Sequence, residues 1–415
     1  MKTRRVLVAV AACTTLVLGA CSDKSTSGGG AGGVKTDKGV TDTEITLGAL
    51  TDISGPFQQL GKGVVDGHEI WADEVNQAGG ICDRDIKLEV RDHGYKADAG
   101  VVQFQEIEPN VAGFIQILGS PINAAIDQRL VDSKATAVAL SWSSFILKNP
   151  YIVIPGTTYD VEMINGLSYL LDEKKIAEGD TIGFVYLEGE YGENGLLGAK
   201  YFAEQHDIDL KAVKVVPTDN DLRNVVTGFK GDGVKAIGLT TTPAQTLSVA
   251  TVSKQLGLDV PLVGNNPTFA PAILTDKTAP ALENFYGTFS SVPYSSDLPK
   301  AQEVAAAYEE AGIKDAPNGG VPYGYAIGLI WGQILEKACD DGDLTREGIQ
   351  KAFRASTDIG TEELIADLDF SEVGTPATRE VYIAQPDASQ DGGLRQVGPL
   401  FVSPDAESYK APEEK

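Results

Sequence analysis

Short β-rich runs alternate with amphipathic helical stretches along this chain, and this alternation constrains its fold more than any other feature. One set runs from a strand pattern at 45–50, through a helical apolar stripe at 60–77, to a strand pattern at 136–140. A second set runs from a helical pattern at 161–171 to a strand pattern at 261–264. Repeated βα units predict parallel sheets covered by helices. We therefore expect an α/β fold with one doubly wound sheet in each half of the chain.

The rest of the chain adds helices and a more irregular end. Helical patterns cover 300–311, 323–340 and 345–355, and residues 364–384 have a β-like pattern interrupted by turns. With 415 residues, of which 42% are hydrophobic, the chain is long enough to form two domains with cores of their own.

The N-terminus has the pattern of a bacterial secretion signal with a lipobox. Basic residues at 2, 4 and 5 precede an apolar run at 6–18, which ends in the sequence Leu-Gly-Ala-Cys at 18–21. The run is too short for a stable membrane-spanning helix, which favours a signal peptide over residues 1–20. Cleavage before Cys21 would leave a thiol that accepts lipid. The alternative is an ordinary signal peptide that happens to contain a cysteine.

The segment 21–42 is rich in Ser, Gly and Lys and has few apolar residues, so it predicts a flexible lipidated tether. Together with the lipobox, this segment places the folded part at the extracytoplasmic face of the bacterial cell membrane, anchored through lipid.

The balance of charge limits the partners of this protein. The formal net charge is −25, and loss of Lys2, Arg4 and Arg5 with the signal takes it to −28. So acidic a surface repels phosphate backbones, which disfavours nucleic-acid binding. It equally disfavours docking on anionic lipid headgroups.

Two cysteines remain after the signal and the lipidated Cys21 are set aside, namely Cys82 and Cys339. An even pair outside the cytoplasm predicts one disulfide. The alternative is two buried free thiols.

Several segments closely resemble one family, the substrate-binding proteins of branched-chain amino acid ABC transporters (type I periplasmic binding proteins, Leu/Ile/Val-binding-like). The resemblance spans residues 43–370. It rests on ITLGALTDISGP at 45–56, Gly61, Gly67, NQAGG at 76–80, IKLEVRD at 86–92, EYG at 190–192 and Gly195.

This resemblance implies two lobes joined by a hinge of three crossover strands, with the ligand held in the cleft. Lobe 1 would comprise 43–156 and 291–360, and lobe 2 would comprise 157–290 and 361–410. The implied function is capture of a small polar solute, such as an amino acid, and its delivery to the permease and ATPase subunits of an importer. The protein would act as a monomer, without a cofactor.

The turn at 119–121 is the first candidate for ligand binding. It follows a strand pattern, Ser120 is a suitable N-cap, and Pro121 suits the first helical position. Free N–H groups at a helix N-terminus bind carboxylates, and Ser120 matches the carboxylate-binding serine of the family. The alternative is that Ser120 only caps its own helix.

The loop after the next strand is the second candidate, and it contains Ser141, Trp142, Ser143 and Ser144. The family places ligand-holding hydroxyl and backbone groups in this loop. The indole of Trp142 would form part of the pocket wall. The alternative is that it packs beneath lobe 1.

Lobe 2 supplies the third set of candidates by resemblance. Tyr191 matches a family tyrosine that reaches the ligand, and Thr241 and Thr242 lie where the family has another tyrosine. Asn266 lies near the acidic residue that holds the ligand ammonium, and Leu60 stands at a position for a pocket aromatic.

The asparagine at 266 leaves the chemical class of the ligand open. Without a carboxylate there, an ammonium loses a charge-assisted partner. An amino acid would need another acid, such as Asp160 or Glu190. The other ligands are an amide, a urea-like solute or a carboxylate without an amine.

Enzymatic and metal-dependent functions find little support in the sequence. The three histidines, His68, His93 and His206, have no ligand partners at metal-binding spacing. The glycines at 55–63 lack the spacing and the Ser/Thr of a phosphate-binding loop, and no Gly-x-Ser-x-Gly motif occurs. We therefore expect a binding protein rather than an enzyme. A ligand-sensing lipoprotein that feeds a signalling partner is the alternative to a transport component.

Overall fold

The computed structural model describes residues 33–412 and residue 414, and within this part 14 strands and 12 α-helices form. The strands are β1 Lys35–Thr36, β2 Glu44–Thr51, β3 Asp85–Asp92, β4 Gly113–Leu118, β5 Ala137–Leu140, β6 Ile152–Val153, β7 Thr181–Leu187, β8 Asp209–Val215, β9 Ala236–Thr240, β10 Leu262–Gly264, β11 Phe285–Phe289, β12 Asp343–Leu344, β13 Tyr382–Pro386 and β14 Leu394–Gln396.

The helices alternate with these strands through most of the chain. They are α1 Gln58–Gln77, α2 Ala97–Ile107, α3 Ser120–Ser133, α4 Tyr159–Asp172, α5 Glu190–Gln205, α6 Arg223–Asp232, α7 Pro243–Leu256, α8 Ala279–Leu282, α9 Pro299–Glu310, α10 Gly320–Asp340, α11 Arg346–Arg354 and α12 Pro404–Ser408. None of the helices within 33–412 is long and apolar enough to cross a bilayer.

Two separate sheets form, as the βα alternation predicts. Lobe 1 is built on a parallel sheet of order β3-β2-β4-β5-β6, and lobe 2 on a sheet of order β14-β13-β11-β10-β9-β7-β8. The second sheet is parallel from β8 to β11 and becomes antiparallel at β13 and β14. The fold class predicted from the sequence, α/β with two parallel-sheet lobes, is confirmed.

The chain crosses between the two sheets three times. The crossings follow β6, β11 and α11, and they span residues 154–158, 290–298 and 355–381. The second and third crossings pair through one isolated bridge between Ser291 and Ile365 rather than through continuous strands. Because these segments belong to neither sheet, the lobe boundaries at 156, 290 and 360 stay a prediction.

The β-like pattern expected over 364–384 is wrong for most of its length. A strand forms only at β13, and the preceding crossing has irregular structure. Glu362 and Glu363 lie consecutively in the left-handed region, with φ of 53° and 66°, and Gly374 has a φ of 95°. Such backbone conformations interrupt strands, so the apolar residues of this segment are buried without forming a sheet.

Folded structure begins earlier than the sequence indicates. Within the predicted tether, Val34 and Val40 are buried, and β1 pairs in parallel with β12. The backbone N–H of Arg346 also donates to the carboxylate of Asp37. The predicted tether is therefore wrong at its C-terminal end, because these two valines pack against lobe 1. Cys21, the signal and residues 21–32 lie outside the described residues.

The long helices α1 and α10 pack closely on one side of lobe 1. Glycines make this possible, since a Cβ on Gly67 would lie 2.2 Å from the carbonyl oxygen of Val321. A Cβ on Gly324 would equally lie 2.1 Å from the carbonyl oxygen of Val64. The predicted disulfide between Cys82 and Cys339 is confirmed, with Cα atoms 6.1 Å apart, and it joins the C-terminal ends of these helices.

Candidate functional site in the cleft between the lobes

The strand β4 turns sharply into α3 at the cleft edge of lobe 1. Gly119 makes this turn with a φ of 101°, and a Cβ there would lie 2.8 Å from the ring of Tyr95. The helix begins at Ser120, and Gly119 rather than Ser120 occupies the N-cap position without a side-chain cap. The expected capping role of Ser120 is therefore wrong by one residue, and its hydroxyl is available for other contacts.

The hydroxyls of Ser120 and Ser141 form a hydrogen bond of 2.7 Å, and both side chains are buried. These residues follow β4 and β5, which are neighbours in the parallel sheet. Because the carboxyl ends of parallel strands meet at one sheet edge, the two loops that the sequence identifies come together there. Free backbone N–H groups at the start of α3 lie at the same place.

A small cavity with aromatic walls lies next to this pair of serines. Their chain neighbours Gly119, Leu140 and Trp142 line it, whereas Ser120 and Ser141 do not. Its volume is about 10 Å³, roughly the room for one water molecule. The residues that line it come from both lobes and are Phe57, Leu60, Tyr95, Leu118, Gly119, Leu140, Trp142, Tyr159, Tyr191 and Pro267. None of these residues is charged, so the cavity offers apolar surface and neutral polar groups only.

The aromatic rings of the cavity pack on one another across the cleft. The ring of Tyr191 lies 4.6 Å from that of Tyr159 and 6.2 Å from that of Phe57, measured between centroids. Phe57 also packs on Tyr95 at 4.8 Å, and Trp142 contacts Tyr159 at 5.9 Å. Since Phe57 belongs to lobe 1 and Tyr191 to lobe 2, these contacts hold the lobes together.

The phenols of the cavity stay protonated. Burial, with smaller effects of Tyr95 and Glu162, raises the pKa of Tyr159 well above its usual range. Burial also raises the pKa of Tyr191 well above its usual range. A neutral phenol can donate a hydrogen bond, so Tyr159 offers the cavity a neutral donor that suits an anion.

The other two serines of the loop face different surroundings. Ser144 donates its hydroxyl to Asp160 at 2.7 Å and its N–H to the side chain of Asn194 on α5 at 3.2 Å. It thus contacts lobe 2 and is not part of the cavity wall. The Ser143 hydroxyl is buried and has no hydrogen-bond partner among the described residues.

Tyr191 lines the cavity, whereas the two threonines lie behind it. The Tyr191 hydroxyl donates to the carbonyl of Thr241 at 3.1 Å. The Thr241 hydroxyl pairs with that of Thr246 at 3.0 Å. Thr242 is the N-cap of α7 and forms a capping box with Gln245. The structure gives both threonines contacts within lobe 2 and places neither among the residues that line the cavity.

Asn266 lies outside the aromatic cavity and beside an acid of its own lobe. Its backbone N–H donates to a carboxylate oxygen of Glu162 at 3.2 Å, and Asn265 donates to the same oxygen at 3.0 Å. Glu162 is completely buried, and burial raises its pKa to about 8. Glu162 therefore holds the loop at Asn265 and Asn266 by hydrogen bonds within lobe 2 and does not line the aromatic cavity.

The two acids suggested as alternative ammonium partners do not reach the cavity either. Asp160 is buried and accepts from Thr158, Ser144, Tyr409 and the backbone of Val161. Glu190, at the start of α5, is not among the residues that line it. Within the described residues, no group of three or more His, Cys, Asp or Glu side chains is placed to bind a metal ion.

Three aromatic residues of the cavity were not identified from the sequence, namely Phe57, Tyr95 and Tyr159. Phe57 directly follows the Gly-Pro loop after β2, and Tyr159 lies at the start of α4 directly after a crossing. Both positions are at the cleft edge of the fold, and this placement was the available signal. Tyr95 lies at a φ of 62° in the loop after β3, where the sequence gives little indication of its direction.

Comparisons with known proteins agree with this architecture. A family model described as "Periplasmic binding protein" matches residues 44–393. No curated protein sequence matches the chain. A solved structure described as a fatty acid ABC transporter substrate-binding protein from Thermomonospora curvata is similar over 92% of this chain and 98% of its own, with 38% identity and a TM-score of 0.89.

Two more distant structures share the fold. A branched-chain amino acid ABC transporter protein from Thermus thermophilus, with bound valine, has 18% identity, covers 88% of this chain and 98% of its own, and has a TM-score of 0.78. A solute-binding protein from R. palustris in complex with 4-hydroxybenzoate has 18% identity, coverage of 87% and 98%, and a TM-score of 0.74. The chain therefore belongs to the periplasmic binding protein family, the extracytoplasmic solute-binding components of ABC transporters.

Proposed function

We propose that this protein captures a carboxylate with an apolar body and presents it to an ABC permease. The observation that carries the proposal is a set of neutral donors beside a cavity without charged residues, namely the paired hydroxyls of Ser120 and Ser141 and the free N–H groups at the start of α3. The helix N-terminus and hydroxyl donors hold a carboxylate without a cation. The aromatic walls suit the apolar body.

The similar protein from Thermomonospora curvata supports this ligand class, since it is described as a fatty acid ABC transporter substrate-binding protein. An amino acid is less well supported, because its ammonium group finds no acid among the residues that line the cavity. Burying an unpaired ammonium costs far more than the remaining contacts return. Ligand-dependent signalling is a second role open to the same site.

The head-group assignment is tested by comparing octanoate with octanamide and octylamine in calorimetric titrations of the delipidated protein. Octanoate is expected to bind most tightly. Ser120→Ala should weaken its binding by roughly 1.5–3 kcal/mol, because a hydrogen bond to a charged group is lost. Ser133→Ala, at the opposite end of the same helix, serves as the matched control and should bind normally. Equal binding of octanoate and octanamide would contradict the proposal.

We also propose that Cys21 carries the lipid that anchors the protein. The basic, apolar and small residues before it support this role. Cys21→Ser should release the protein from the membrane fraction of the producing cells and block processing of the signal. A variant that stays membrane-bound and normally processed would contradict the anchor.

A further inference from the structure

A second cavity lies between the lobes beside the aromatic one, and Leu60 lines both. Its volume is about 40 Å³. The apolar part of its wall comes from lobe 2 and from the second crossing, with Phe269, Phe289, Val292 and Leu394 as its main members. The two cavities are therefore adjacent spaces in one cleft, separated at Leu60.

No charged residue lines the second cavity, although 22% of the chain is charged and its net charge is −25. Its polar side chains are largely occupied. The amide of Asn318 donates to the carbonyl of Gln59 at 2.9 Å and accepts from the N–H of Gly320 at 2.8 Å. The Gln59 side chain accepts from the N–H of Ala272 at 3.0 Å. Asn266 and Ser291 also line this cavity, but most of its wall is apolar and it holds no charged partner for a head group.

Leu60 is placed to separate the two spaces or to join them. It lies in the first turn of α1 and is only half buried, and the residue before that helix, Phe57, provides no side-chain cap. Pro267, which lines the aromatic cavity, directly follows Asn266, which lines the second one. Rotation of the Leu60 side chain would connect the cavities along this line.

We propose that the second cavity binds the aliphatic tail of a longer carboxylate, and that Leu60 determines which chain lengths enter it. The inference rests on the proposed function, because the head group must first be held at Ser120. The aromatic cavity has room for about one water molecule in the closed protein, so an alkyl chain must extend beyond it. The second cavity adjoins it at Leu60 and has the apolar walls that an alkyl tail requires.

The test is a titration of the delipidated full-length protein with straight-chain carboxylates from butyrate to dodecanoate, each below its micellar concentration. Affinity should rise about three- to fourfold for each methylene that enters the cavities. Leu60→Phe should abolish the rise in affinity for the longer chains. Leu60→Ala should shift the preference towards longer chains. Val75→Ala, at the far end of the same helix, is the matched control and should reproduce the wild-type profile.

A second variant fills the cavity from lobe 2. Ala270 lines the second cavity and is half buried in a loop, so Ala270→Phe is expected to fold and to reduce the affinity for long chains alone. If Leu60→Phe does not fold, Ala270→Phe provides the test instead. Short and long carboxylates that bind the wild type equally, or an Ala270→Phe variant that weakens butyrate and the long chains alike, would overturn the tail site while the head-group proposal stands. Absence of binding by every carboxylate, with an amide or amine bound instead, would overturn both.

Discussion

At the scale of single residues, Glu162 is the most unusual titratable group near the cleft. It is completely buried, and although Asn265 and Asn266 donate to it, burial raises its pKa from 4.5 to about 8. Between these values the folded protein retains a proton that the unfolded chain has released. Unfolding therefore releases a proton, and the free energy of unfolding falls as the pH rises.

The window from pH 6.5 to 8 separates this effect from that of the two buried histidines, His68 and His93, whose pKa values burial lowers. Burial lowers the pKa of His68 from 6.5 to about 4, so this residue lowers stability only as the pH falls below 6.5. Across pH 6.5–8, we expect Glu162 to reduce the free energy of unfolding by about 2 kcal/mol.

Glu162→Gln should remove that loss, because the amide imitates the protonated acid and keeps the acceptor for Asn266. Urea denaturation at pH 6.5, 7.25 and 8 measures the slope. Glu173→Gln, at the exposed C-terminal end of the same helix, should keep the wild-type slope. A slope that is the same in Glu162→Gln and wild type would contradict the assignment.

At the scale of elements, the disulfide between Cys82 and Cys339 joins the ends of α1 and α10, 257 residues apart in sequence. Closing so long a loop restricts the unfolded chain, which the chain-entropy model equates with roughly 5–6 kcal/mol. The double variant Cys82→Ser with Cys339→Ser should lose stability of that order in urea denaturation.

We expect the double substitution to leave ligand affinity unchanged. The bridge lies beyond the C-terminal end of α1, whereas Leu60 and the cavities lie at its N-terminal end, and a helix of 20 residues is about 30 Å long. Reduced wild-type protein is the control and should behave as the variant does. A loss of stability below 1 kcal/mol would show that the bridge does not restrict the unfolded chain as expected.

The order of the elements was predictable because periodicity and turn residues are local signals. The strand expected at 261–264 and the helix expected at 300–311 form to within one residue at each end, and the boundaries of the other predicted elements before residue 356 differ by at most four residues. The folded start at Val34 and the irregular crossing before β13 were not predictable, because both depend on packing against distant residues. Val34 and β1, for example, become ordered only beside β12.

The site was predictable only where a local motif marked it. Ser120, Trp142 and Tyr191 follow strands or begin helices, and the structure brings them to one cleft. Tyr95 meets Phe57 only when separate loops come together, so no local pattern identified Tyr95. The role of these residues in binding stays a prediction.

At the scale of the whole molecule, the two lobes are closed on each other in this structure. Tyr191 of lobe 2 packs on Phe57 of lobe 1, Asn194 contacts Ser144, and Ala272 contacts Gln59. The aromatic cavity enclosed between the lobes is nearly filled by side chains. A ligand must therefore enter an open form, and it favours closure by contacting both lobes at once.

This coupling predicts a ligand-dependent change in shape and stability. Small-angle scattering of the wild type should show compaction on addition of a bound carboxylate. At a hundred times the dissociation constant, the ligand should raise the free energy of unfolding by about 2.7 kcal/mol. Tyr191→Ala should weaken binding by roughly 1.5–3 kcal/mol, because the aromatic surface contributed by lobe 2 is lost, and it should reduce the compaction.

Tyr201→Ala provides the matched control for this prediction, since Tyr201 lies on the same helix and packs on Tyr409 within lobe 2 at 4.9 Å. We expect it to lower stability while leaving both affinity and compaction unchanged, because its contacts are the same in open and closed forms. If both variants lose affinity equally, Tyr191→Ala acts by destabilising lobe 2 and not by removing a contact with the ligand. If a carboxylate binds tightly to the wild type without compaction, contact with a single lobe is sufficient, and closure is not coupled to binding in this protein.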